Sequence, residues 1–211
     1  MIKGGIIMQN FIMEGIGKIS GGEFETITVK GVSTCSNNIK TENMRIEGVF
    51  NCSGDVETGL LYCKGVADFK ANIRAKKLTV EGVLSVRGDS KIEAEEIICD
   101  GVIKASGEIS TDIMKADGCV EAKEIVGDYI KINSRYQVNR FMRFFSETKS
   151  NVKLIEATTI ELTGVTADAV NGRDITIGPN CRIDKLECNG ILFIDKNSEV
   201  HTITGNYTMR G

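Results

Sequence analysis

Tryptophan is absent from this chain of 211 residues, and proline and histidine occur once each. So little proline argues against the stiff, solvated linkers that proline-rich segments make. With His201 as the one histidine, the chain lacks the imidazole clusters that ligate zinc or share general-base work. No apolar run reaches the length of a membrane-crossing helix, and the N-terminus carries no signal-peptide cleavage region. Charge of neither sign dominates: 26 Lys and Arg stand against 29 Asp and Glu, interspersed throughout. There is therefore no basic stripe to neutralise nucleic-acid phosphates. The seven cysteines, at 35, 52, 63, 99, 119, 181 and 188, include no C-x-x-C pair, so neither a disulfide framework nor a zinc site is indicated. These absences point to a reducing, cytoplasmic setting and to no nucleic acid, cofactor or metal.

What the chain does contain is a repeat. "VKGVS", "IEGVF" and "CKGVA" lead a series anchored on Gly31, Gly48, Gly65, Gly82, Gly101 and Gly118, evenly spaced but for a slightly wider step from Gly82 to Gly101. A fixed period of this size marks a stacked-repeat architecture. Two residues before each glycine stand Val29, Ile46, Cys63, Val80, Cys99 and Ala116; four before stand Ile27, Met44, Leu61, Leu78, Ile97 and Met114. An apolar step of two means strand. Between these positions and the glycine lie Lys30, Glu47, Lys64, Glu81 and Asp100, which read as a solvated ladder of alternating charge. The residues one and four after the glycine, such as Val49 and Cys52, also read as facing inward.

A second turn signal follows six residues after the anchor at Asn37, Gly54, Gly88 and Gly107, so each unit holds two or three short strands broken by corners. Glycine is expected there because it adopts positive φ without a clash. Seventeen residues thus form one triangular turn of a parallel β-helix, and the fold class is all-β, a single-stranded solenoid. Nine or ten turns of about 4.8 Å predict a shaft of roughly 40–50 Å. Cys35, Cys52, Cys63, Cys99 and Cys188 occupy inward positions, where a cysteine packs as a small apolar group.

The rhythm divides the chain. Residues 1–20, with Phe11 and Ile12 among their apolar members, form either a cap on the first turn or a membrane-surface contact; Met8 offers a second acceptable start. Residues 21–132 are the first part of the shaft. A loop or short helix is inserted near 133–152, where Arg140, Phe141, Phe144 and Phe145 suggest packing on the shaft, or contact with a partner or membrane surface. Residues 153–205 resume the shaft, and 206–211 form a tail.

"SGGEFETITVKG" near the start, the recurring "KGV" and "EGV" units, and "ADAVNGRDITIGPNCRIDKLE" near the end give nearly the whole chain a resemblance to the bactofilin-like, polymer-forming cytoskeletal proteins of bacteria. It resembles most the longer Gram-positive forms. The resemblance implies a right-handed β-helix that assembles end to end without nucleotide. The shorter members carry the helix between disordered tails, whereas here the ordered repeat fills the chain.

A parallel β-helix ends in open backbone groups and a slice of apolar core, which template another strand. The expectation is a self-assembling scaffold, not an enzyme, with contacts at Ile27 and Val29 at one tip and Val200 and Ile203 at the other. Partners are other copies of the chain, with the inner membrane face or cell-envelope proteins as further contacts. Two alternatives are a monomeric binding scaffold that uses residues 135–149, and a β-helix enzyme with carboxylates stacked across turns, such as Glu47, Glu81 and Asp100.

Overall fold

A computed structural model describes residues 9–134 and 149–210. Every regular element among them is a strand, from β1 (Gln9–Met13) to β19 (Thr208–Met209). Alternation within short segments cut by tight corners leaves each segment too short to fold back on itself, so it pairs with its equivalent one turn on. Hence β3 (Gly22–Val29), β5 (Ile39–Ile46) and β7 (Val56–Cys63) lie side by side and parallel. A second ladder joins β2 (Ile16–Ile19), β4 (Val32–Cys35), β6 (Val49–Cys52) and β8 (Val66–Phe69).

The molecule is the expected all-β parallel solenoid, but it has about eleven turns, which at about 4.8 Å each makes a shaft of about 50 Å. The additional length comes from both ends. Gln9–Met13 pairs with β3 and Ile16–Ile19 with β4, so the described part of residues 1–20 is the first turn of the coil and no separate cap. At the other end Thr208–Met209 pairs with Ile191–Leu192, so the coil runs on past residue 205.

One turn shows how the core is filled. Phe50, Cys52, Val56, Thr58, Leu61 and Cys63 are all buried, as three pairs spaced by two and separated by corners. Their stacking on the equivalents above and below makes one continuous core along the shaft. The inner position after the anchor glycine is thus the second residue and not the first. Ser33, Phe50, Ala67, Leu84 and Ile103 point inward at 0% exposure, whereas Val32, Val49 and Val66 point outward. Parity decides it: only the second residue shares a face with the buried fourth.

Of the glycines expected at positive φ in the second corner, Gly88 has it and Gly54 and Gly107 do not; the anchor glycines have a different reason. None of the six is among the positive-φ residues. A Cβ on Gly65 would lie 2.0 Å from the Gly48 carbonyl oxygen, and one on Gly48 would lie 2.0 Å from that of Gly31. Stacked corners approach too closely for a side chain. The second corner is held differently, by an amide and carboxylate ladder. Asn38 Oδ1 accepts from the Asp55 N–H, Asp55 Oδ1 from the Asn72 N–H, and Asn72 Oδ1 from the Lys91 N–H, at 2.9–3.0 Å. At the third corner Thr41, Thr58 and Thr111 turn inward, and each hydroxyl donates to the carbonyl two residues on.

Ser134, the last described residue before 149, stands at an anchor-glycine corner. Ile132 is in register with Ala116, and Val152 with Ala122, which puts Ser134 in the place of Gly118. The side chains on either side of the insertion meet: Ser134 Oγ lies 2.5 Å from Ser150 Oγ. Ser150 Oγ also accepts from the Val120 N–H at 2.9 Å.

Candidate functional site

The tips are the places where the stack of described turns ends, so they carry the candidate site. Ile27 and Val29 are not at the first tip. Strand β1 covers them, and both are 0% exposed. The residues that stand there are from the preceding turn. Phe11 stacks above Ile27, and its ring meets Phe24 edge-on at a centroid distance of 6.0 Å. Met13 folds its thioether into the space that a Gly17 side chain would fill. Ile12, next to Phe11, points outward. The apolar N-terminal segment is thus split between the two faces of one strand.

Val200 and Ile203 do lie at the second tip. They sit on β18 (Glu199–Thr204), stacked on Ile183 and Leu186 of β16 (Arg182–Cys188). Ile183 and Leu186 are fully buried, while Val200 and Ile203 are half-buried and Met209 is exposed. Among the described residues, β18 pairs only on its β16 side and β19 only with β17 (Ile191–Ile194). Their outer edges present backbone donors and acceptors of a parallel ladder.

Charged groups frame this slice. The His201 ring bridges two turns, with Nε2 2.9 Å from Glu199 Oε1 and Nδ1 3.1 Å from Asp184 Oδ1. The hydrogen bond to His201 holds the Glu199 carboxyl below the usual carboxylate range, helped by the positive charge of Arg182. Arg210 places its guanidinium 5.5 Å from the centre of the Phe193 ring. An apolar patch with a charged rim is the anatomy of a protein–protein contact.

The flanks of the shaft are laced from turn to turn. A groove of about 670 Å³ runs past Glu23, Lys40, Glu57, Arg74, Lys91 and Glu93. Five of these six charges are already paired: Lys40 with Glu57 at 3.1 Å, Arg74 with Glu93 at 2.5 Å, and Lys91 with Glu108 at 2.9 Å. Exposed pairs of this kind are worth about 0–1 kcal/mol each, and they make the groove a solvated face.

The ladder expected at Lys30, Glu47, Lys64 and Glu81 is an exposed row, though its closest bonds run elsewhere. Lys30 pairs with Glu14 at 3.0 Å, and Glu47 with Arg45 at 2.6 Å. Arg45 does most to hold the Glu47 carboxyl below its usual range, and Lys30 and Lys64 add to it. Among the described residues no group of three or more His, Cys, Asp or Glu side chains is placed to hold a metal ion. Arg140, Phe141, Phe144 and Phe145 lie outside the described residues. No helix among the described residues is long and apolar enough to cross a membrane.

Two features are hidden in the sequence. The threonine corner carries no apolar signal. The extent of the insertion becomes visible only when Ile130 is set in register with Ile160, a step nearly twice as long as the one from Met114 to its own partner Ile130.

No family model matches the chain, and no solved structure matches it. The chain is similar to the uncharacterized protein YhbE of Bacillus subtilis (strain 168), with 31% identity over 104 residues. The match takes in 48% of this chain and 44% of that protein, so the chain spans less than half the length of the relative.

Proposed function

We propose that this chain is a structural subunit that joins copies of itself end to end, without nucleotide, as a bactofilin-like polymer-forming scaffold in the bacterial cytoplasm. The observation that carries this reading is the second tip. There, among the described residues, the apolar core ends in Val200, Ile203 and Met209, beside strand edges that pair on one side only. A second chain laid on that edge continues the backbone ladder and covers the slice, which is the same interaction that joins each turn to the next. The rim of Arg182, Glu199, His201 and Arg210 selects how the two tips meet. The inner membrane face and cell-envelope proteins are the outside contacts this reading allows.

Negative-stain microscopy and sedimentation velocity over a concentration series test the proposal. Rods longer than one shaft are expected for the native chain. Met209→Lys places a charge on the exposed slice without disturbing a buried side chain, and shorter species are expected. Single shafts at every concentration and salt for the native chain overturn the proposal.

A further inference from the structure

The outward residues that follow the anchor glycines form a second apolar feature, separate from the tips. Ile16, Val32, Val49, Val66 and Val83 stand in register on adjacent turns. They are exposed by 89%, 41%, 37% and 45% for the first four, and Val83 is half-exposed. Valine gains nothing from water here, and it recurs turn after turn at the strand spacing of about 4.8 Å. A rigid row with that repeat is matched by a surface with the same repeat, and another copy of the row has it.

The neighbouring row sets the orientation. Two residues before each member stand Glu14, Lys30, Glu47, Lys64 and Glu81, alternating in sign. When two shafts lie antiparallel about a two-fold axis, this row faces itself. With the axis level with a turn, like charges meet. With the axis midway between turns, opposite charges meet. Placing it between the turns of Val49 and Val66 sets Glu47 against Lys64 of the second copy and Lys30 against its Glu81, each twice. Val49 then rests on Val66 of that copy, and Val32 on Val83. The contact is confined to these four turns, because one turn further out Glu14 meets Asp100 of the second copy, two like charges. Placing the axis one turn nearer the N-terminus satisfies the charges too, but exchanges Val83 for Ile16 in the shared row.

We propose that this row is a side-to-side contact between two copies of the chain, antiparallel, with the two-fold axis between the turns of Val49 and Val66. It does not depend on end-to-end growth. Four turns by about 12 Å of width bury roughly 450 Å² in all, below the usual 1,200–2,000 Å² of a stable complex. The pairing of two single shafts is therefore weak and fast, and it strengthens when several contacts act together.

Sedimentation at high concentration tests this in the Met209→Lys background, where the tip contact is blocked and the side contact is intact. A monomer–dimer equilibrium is expected. Val49→Asp with Val66→Asp, both outward and solvent-facing, abolishes the dimer. Lys64→Glu weakens it about tenfold or more, and adding Glu47→Lys restores it, because the pair is exchanged across the axis. Monomers alone at high concentration overturn the proposal, as does a dimer indifferent to the aspartates or one that the charge exchange fails to rescue. Absence of rods in the native chain with the dimer retained counts against the tip reading alone.

Discussion

At the corner of each turn a glycine gives up its side chain to a carbonyl, and the cost of supplying one is set by what already occupies the space. A Cβ on Gly65 meets the Gly48 oxygen at 2.0 Å, and the nearest atoms are all backbone of the preceding turn, with no flexible end to yield. Gly65→Ala is expected to lose about 3–5 kcal/mol in urea denaturation. Gly88 is the contrasting case, with a φ of +77° and nothing within 4 Å of an added Cβ. Gly88→Ala is expected to lose only the conformational cost of about 1–2 kcal/mol. Equal losses would show that crowding is not the reason for the row. The glycine period is plain in the sequence, but its cause is not, because close approach and positive φ select the same residue. The valines beside it mislead for a similar reason. Valine suits a strand on either face, so Val49 and Phe50 both look like core, and only the parity with Cys52 separates them.

At the scale of the element, the insertion is an excursion from an otherwise complete turn. Removing residues 135–148 shortens the step from Ile130 to Ile160 to the length that Met114 to Ile130 already takes. Ser134 then joins directly to Lys149 at the position of a corner glycine. The variant lacking 135–148 and carrying Ser134→Gly is expected to keep the β-sheet circular dichroism spectrum and a cooperative melt within about 5 °C of the native chain. Loss of the cooperative melt would mean that the segment is part of the fold. The sequence shows that the rhythm breaks here, but aromatic and basic residues draw the eye toward what the segment contacts. The register across the gap, which says that the shaft does not need it, requires knowing which residues stack.

Over the whole molecule, Cys63 and Cys99 belong to one column of the core, with Val80 between them. Cys63 and Cys99 are 0% exposed, and burial pushes both thiols up to about 12, partly opposed by backbone hydrogen bonds. A thiol whose pKa rises on folding stabilises the fold fully below its unfolded value, near 9. That contribution is lost as pH climbs through the folded value. From about 9 to about 12 each thiol forfeits on the order of 4 kcal/mol. The urea midpoint is expected to fall more steeply between about pH 9 and pH 11 in the native chain than in Cys63→Ala, Cys99→Ala. Parallel slopes would remove these thiols from the account.

The stacking of like on like has a further consequence. Each turn touches only the turns beside it, and its corners, inner pairs and outer charges recur at the next. The shaft is graduated like a ruler, and a whole division can be added or cut out without redrawing the rest. Length in this molecule is therefore a heritable setting, adjustable by short in-frame duplications and losses, and each edit moves one tip relative to the other by a single strand width.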